Sequence, residues 1–167
     1  MRIVVLFLIV FGISACGYRP SAKYSRDVVG DKISTEVVVS AHDPENSVII
    51  KDSVDAAVIK VFHASLTTRS LSKTHLVISI SKPSYSPIQY DGDGYVVAYR
   101  TSITLGIVRY HNGLSKKYNA KGTYDFSIQP NAIISDQERF EAIKFASEKA
   151  IKSFLAQVSA EGARSNR

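Results

Sequence analysis

The 167-residue chain has a single cysteine, Cys16, and four scattered histidines, His42, His63, His75 and His111. A lone cysteine excludes an internal disulfide. His63 has no second His, Cys or carboxylate at metal-ligand spacing, and no zinc motif is present in the sequence. Neither a Gly-x-Ser-x-Gly elbow nor a phosphate loop occurs. The expectation is a non-enzyme with no catalytic residue, no metal and no cofactor. Acidic residues are in deficit, 15 against 21 Lys and Arg, and the net charge of +6 suits an anionic partner. Beyond the N-terminus there is no apolar run near the roughly 20 residues that a membrane-spanning helix needs.

What is there begins at the N-terminus. Met1-Arg2 supplies a short positive start, and "IVVLFLIVFGI", residues 3–13, is apolar throughout. It is too short to span a bilayer but fits the apolar region of a secretory signal. Ile13-Ser14-Ala15-Cys16 then resembles the bacterial lipobox, in which the cysteine becomes the first mature residue and its sulfur carries lipid. Several acyl chains on one residue make a stable anchor, each buried CH2 contributing about 0.8 kcal/mol. The spacing therefore predicts a signal peptide over 1–15 and a lipidated N-terminus and tether over 16–34. Gly17 stands where inner-membrane lipoproteins often carry Asp, so the resemblance to lipoprotein sorting signals implies the outer membrane. Export leaves no role for nucleic acid and keeps anionic lipid, lipopolysaccharide or cell wall as partners.

A domain is expected over 35–158. "TEVVVS", residues 35–40, reads as a first strand, and "VIIK" as a brief extended piece. Val54, Ala57, Val58, Val61, Phe62 and Leu66 then share one helix face, with Asp52 as N-cap and an end near Thr68. "HLVISIS", residues 75–81, alternates as a strand that Pro83 and Pro87 stop. "QYDGDGY" reads as a turn. As a calcium loop starting at Asp91 it fails, because its sixth and twelfth positions are Val96 and Ser102.

Two long alternating segments follow. Tyr95, Val97, Tyr99, Ile103, Leu105 and Ile107 form the apolar face of one. Tyr118, Ala120, Tyr124, Phe126 and Ile128 form that of the other. Asn112-Gly113 between them is a type I′ hairpin signal. A two-residue turn places Arg100 opposite Asp125, Ser102 opposite Thr123, Thr104 opposite Lys121 and Val108 opposite Lys117. Both polar sets then share one face, as a half-buried sheet requires. Ser135 and Glu138 form a capping box for a last helix, whose stripe is Phe140, Ile143, Ser147, Ala150, Ile151, Phe154 and Val158. Residues 159–167 have no period and read as a disordered tail. The fold class is α+β: one mostly antiparallel sheet of about four strands, order β-α-β-β-β-α, with two helices on one face and the other face open.

Cys16-Gly17-Tyr18, the long strand meander entered through "VVAYR" at Tyr99, and the C-terminal helix together resemble the LptE family of outer-membrane lipoproteins. The resemblance runs from the signal peptide to about Val158. It implies a plug inside the LptD β-barrel that assists barrel assembly and binds lipopolysaccharide. A polar sheet face suits the wet lumen of a large barrel. Lys73, Lys82, Arg100, Arg109, Lys116, Lys117 and Lys121 against Asp91, Asp93 and Asp125 make the β region basic. Strand-held cations can bind lipid phosphates and carboxylates. Lys117 and Lys121 are the leading lipopolysaccharide contacts, with Arg100 a third that Asp125 competes for. The chain departs from the family in "YDGDG" and "NAIISDQ", which carry no Lys or Arg where members can carry them. The alternative reading, from a different class, is a lipid-anchored periplasmic module that binds cell wall or a small ligand.

Overall fold

The structure is a computed structural model that describes residues 28–38, 48, 51–56, 59–60, 65–130 and 132–165. Cys16, Gly17, Tyr18, His42, His63 and the central part of the first helix stripe (Ala57, Val58, Val61, Phe62) lie outside the described residues. The strands are β1 (Lys32–Val37), β2 (Ser65–Leu66), β3 (Thr74–Ile80), β4 (Ser84–Tyr90), β5 (Val96–His111) and β6 (Leu114–Ser127). A 3-10 turn spans Arg69–Leu71, and helix α1 spans Asp136–Ser165. Residues 51–56 are also helical. The α+β class therefore holds. Among the described residues no helix is long and apolar enough to cross a membrane.

The β5–β6 hairpin organises the sheet. Its register matches the expected one residue for residue: Arg100 faces Asp125, Ser102 faces Thr123, Thr104 faces Lys121 and Val108 faces Lys117. Asn112 at φ 49° and Gly113 at φ 77° build the left-handed turn that a two-residue hairpin demands. On the other side of β5, β3 pairs with its C-terminal half and β4 with its N-terminal half, both antiparallel.

Several details differ from the expectation. Among the described residues the sheet has six strands and is mixed, because β1 runs parallel to both β2 and β3. Leu66, expected on the helix stripe, lies in β2 beside β1. Residues 84–90, expected as a break and turn, form β4. Pro87 is tolerated there because β4 is an edge strand, and the register shifts between Pro87 and Gln89. The Asp91–Gly94 turn follows directly, its Asp91 Oδ1 accepting from the amides of Asp93 and Tyr95 at 3.0 and 2.8 Å. Finally, the tether does not reach residue 34. Val28 and Val29 are helical, Ile33 lies in β1, and Val29 and Ile33 are fully buried.

One core joins Val29, Ile33 and Val54 to Leu76, Ile78, Ile103, Leu105 and Ile107, and beneath α1 to Ile143, Ala150, Phe154 and Val158. The capping box fixes the start of α1: Glu138 Oε2 accepts from the Ser135 amide at 2.8 Å, and Ser135 Oγ accepts from the Glu138 amide at 3.2 Å. Of the expected stripe, Phe140 is exposed, and Ala142 and Ala146 take their place in the core. Ser147 is buried with its hydroxyl donating to the Ile143 carbonyl at 2.7 Å. The helix continues past Val158 to Ser165 in place of the expected disordered tail. Its last turns are held by Glu161, a polar anchor that apolar periodicity does not reveal.

Candidate functional site: the open sheet face and its flanking clusters

The face turned away from α1 carries Arg100, Ser102 and Thr104 from β5 and Lys117, Asn119, Lys121, Thr123 and Asp125 from β6. Arg100 is held by Asp125 in a two-point contact, Nε to Oδ1 and Nη2 to Oδ2, both 2.7 Å. The same bonds hold the Asp125 carboxyl below its ordinary range and raise Arg100 further above its own. Arg100 is therefore committed to its cross-strand neighbour. Lys117 and Lys121 are exposed, and among the described residues neither joins an ion pair. Four residues apart on a strand, their backbones are separated by about 13 Å. They present two separate cationic points across Asn119, too far apart to hold one small anion together. The three expected contacts thus share one face, with two cations available and one engaged.

Two further basic residues of the β region face the other way. Arg109 and Lys116 sit opposite each other on the helix-covered side. Arg109 is almost buried; its Nη2 donates to Glu161 Oε1 at 3.0 Å and its Nη1 to the Val28 carbonyl at 3.1 Å. Lys116 Nζ lies 2.9 Å from Glu161 Oε2, and the Tyr118 hydroxyl donates to the same oxygen at 2.6 Å. Burial pushes the Glu161 carboxyl up, but Tyr118, Lys116 and Arg109 outweigh it and leave it below the ordinary glutamate range. Burial, and then the bond to Glu161, drive the Tyr118 hydroxyl well above the usual phenol range. This cluster ties the end of α1 to Val28, ahead of β1. Its cations serve the fold and are not offered to a ligand.

A second cluster has no counterpart in the expectations. Ser34 Oγ lies 2.8 Å from His75 Nδ1, while Glu36 Oε2 lies 3.3 Å and Arg69 Nη1 3.1 Å from His75 Nε2. Serine, histidine and glutamate in contact invite comparison with a hydrolytic relay. The bond directions oppose it. Ser72 Oγ gives its single proton to the Arg69 carbonyl at 3.0 Å, so the Ser34 hydroxyl must give its own to Ser72 at 2.7 Å, and its bond with His75 is donated by Nδ1–H. Ser34 thus receives a proton where a nucleophile must give one up, and it is buried besides. A shallow groove of about 220 Å³ borders the cluster. The parallel β1–β3 register, which sets Ser34 beside His75, is the step that sequence reasoning lacked. Among the described residues no group of three or more His, Cys, Asp or Glu could hold a metal ion.

No family model matches the sequence, and no curated protein matches it significantly. Solved structures do match. One is rare lipoprotein B from Shewanella oneidensis, at 12% identity and a TM-score of 0.52, covering 81% of this chain and 99% of that one. Another is a candidate lipoprotein from Caulobacter crescentus CB15, at 10% identity and a TM-score of 0.51, covering 86% and 98%. At such identities the likeness is one of fold: this chain has the α+β fold of these two proteins over most of its length.

Proposed function

We propose that the chain is an outer-membrane lipoprotein, anchored through lipid on Cys16, that sits in the LptD β-barrel, assists its assembly and binds lipopolysaccharide through Lys117 and Lys121. The observation that carries this reading is the open face of the hairpin. It is polar from Arg100 to Thr104 on β5 and from Ser115 to Asp125 on β6, and has two lysines without an ion-pair partner, a surface suited to a wet barrel lumen and to anionic lipid headgroups. The fold shared with rare lipoprotein B supports the lipoprotein part of the reading. Arg100 is left out of the contact set because Asp125 holds it. The proposed role is binding without catalysis.

The test is photo-crosslinking in the membrane from positions 117 and 121. Capture of lipopolysaccharide and co-purification with a large outer-membrane barrel are the expected results. Recovery of a free monomer, with surface lipopolysaccharide unchanged on depletion, would sink the proposal. One observation favours the alternative module. A groove of about 750 Å³ lies at the hairpin-turn end of the sheet, between Lys32, Lys73 and His111. A tight complex with peptidoglycan or a small ligand there, unaffected by changes at Lys117 and Lys121, would select it.

A further inference from the structure

β6 pairs with β5 alone, and among the described residues no strand covers its other edge. The two-residue turn makes His111 and Leu114 a hydrogen-bonded pair. Even-numbered residues of β6 therefore bond to β5, and odd-numbered ones direct their N–H and C=O outward. Gln157 agrees with this: its Nε2 donates to the Asn119 carbonyl at 2.8 Å, the place an incoming backbone N–H would take. Lys117 and Lys121 flank that point along the edge.

Beside the edge runs a groove of about 680 Å³, walled by Lys116 and Lys117 on the strand side and by Ser153, Ala156, Ala160 and Arg164 on α1. Ser153, Ala156 and Ala160 recur at helical spacing on one face. Their small side chains leave width for a strand about 4.8 Å from β6. The groove is cationic: it holds Lys117 and Arg164, while its Lys116 and Glu161 are paired with each other. The same charges exclude a second copy of this chain, since antiparallel β6–β6 pairing about Asn119 would set Lys117 against Lys121.

We propose that the β6 edge and this groove accept an extended acidic segment of another protein as an added strand. Acidic side chains at alternate positions meet Lys117 and Lys121 on the open face, and small apolar ones between them lie on Ala156 and Ala160. Gln157 holds the edge until that strand displaces it. The backbone edge and the groove lie outside the lipopolysaccharide face, with which the added strand shares only the Lys117 and Lys121 side chains.

The test uses the full mature chain and two probes, an acetylated Val-Glu-Val-Glu-Val-Glu-Val amide and its counterpart with lysine for glutamate. Binding is read by fluorescence anisotropy, and the contact by amide hydrogen exchange. The expected result is preferential binding of the acidic probe, with slowed exchange at the Lys117, Lys121 and Thr123 amides. Lys117→Glu with Lys121→Glu should weaken it by roughly tenfold or more. Ala160→Trp, which fills the groove, should abolish binding with exchange in β3 and β5 unchanged; Ala156→Gln serves as the milder version should that variant misfold. Gln157→Ala should tighten binding. Equal binding of the two probes, protection away from β6, or undiminished binding by folded groove-filling variants would overturn the proposal.

Discussion

Gly122 is where α1 and β6 come closest, and a methyl group there tests the helix–sheet contact directly. A Cβ on Gly122 would overlap the backbone of Ala146 and Ala150. Backbone in the middle of a helix cannot rotate aside as a side chain can, so Gly122→Ala must push α1 away from the sheet. The same helix is held nearby by the Tyr118–Phe154 and Tyr124–Phe145 ring contacts, at 5.1 and 4.9 Å between centroids. Overpacking of a closed interface costs about 1–3 kcal/mol, and an immovable neighbour puts this case at the upper end, about 3 kcal/mol. Gly106 is the control, on β5 of the same hairpin. There the added Cβ meets Ser79 Oγ at 2.7 Å, a hydroxyl that can turn away by giving up its 3.1 Å bond to the Gly106 carbonyl. That bond is worth about 1 kcal/mol, which the roughly 0.5–1 kcal/mol gained on replacing a strand glycine nearly offsets. Thermal unfolding followed by circular dichroism should therefore show Gly106→Ala close to the parent. Gly122→Ala should melt lower by about 6–12 °C, at roughly 2–4 °C per kcal/mol for a domain of this size. A Gly122→Ala protein as stable as Gly106→Ala would refute the close-packed helix.

The remaining predictions concern charge. Glu161→Gln should destabilise the domain by about 3 kcal/mol, since it leaves the nearly buried Arg109 without its ionised partner. Because the folded carboxyl lies below its ordinary value, its contribution is present above pH 4.5 and is lost as pH falls through the lowered folded value. The melting temperatures of parent and Glu161→Gln should accordingly converge on acidification; a gap that does not narrow as pH falls below 4.5 would contradict this. Asp125→Asn frees Arg100 and should raise lipopolysaccharide affinity at low salt by about 1.5- to 5-fold, whereas Arg100→Ala should leave it unchanged. Isothermal titration of the two variants would decide, and a loss on Arg100→Ala would return that residue to the contact set.

The parts of the fold that sequence reasoning reached are those in which the partners are close along the chain. Asn112-Gly113 dictates a two-residue turn, the turn dictates the register, and the register dictates that Arg100 meets Asp125 and that Lys117 and Lys121 share a face. The capping box at Ser135 and Glu138 is equally local. The parallel pairing of β1 with β3 is not. Ser34 and His75 lie on strands joined by a crossover, and nothing in "KIST" or "THLV" announces the neighbour that each will find. The same holds for Arg109 and Glu161, which the packing of α1 on β6 brings together across the core. Counting basic residues along the β stretch placed Arg109 and Lys116 with Lys117 and Lys121, yet the pleat alone separates them. Arg109 and Lys116 face the helix and are consumed there, while Lys117 faces out. A cationic strand therefore has to be read one face at a time. Of the seven Lys and Arg between residues 73 and 125, only those on the open face without a cross-strand acid remain for a ligand on it, and on the hairpin these are Lys117 and Lys121.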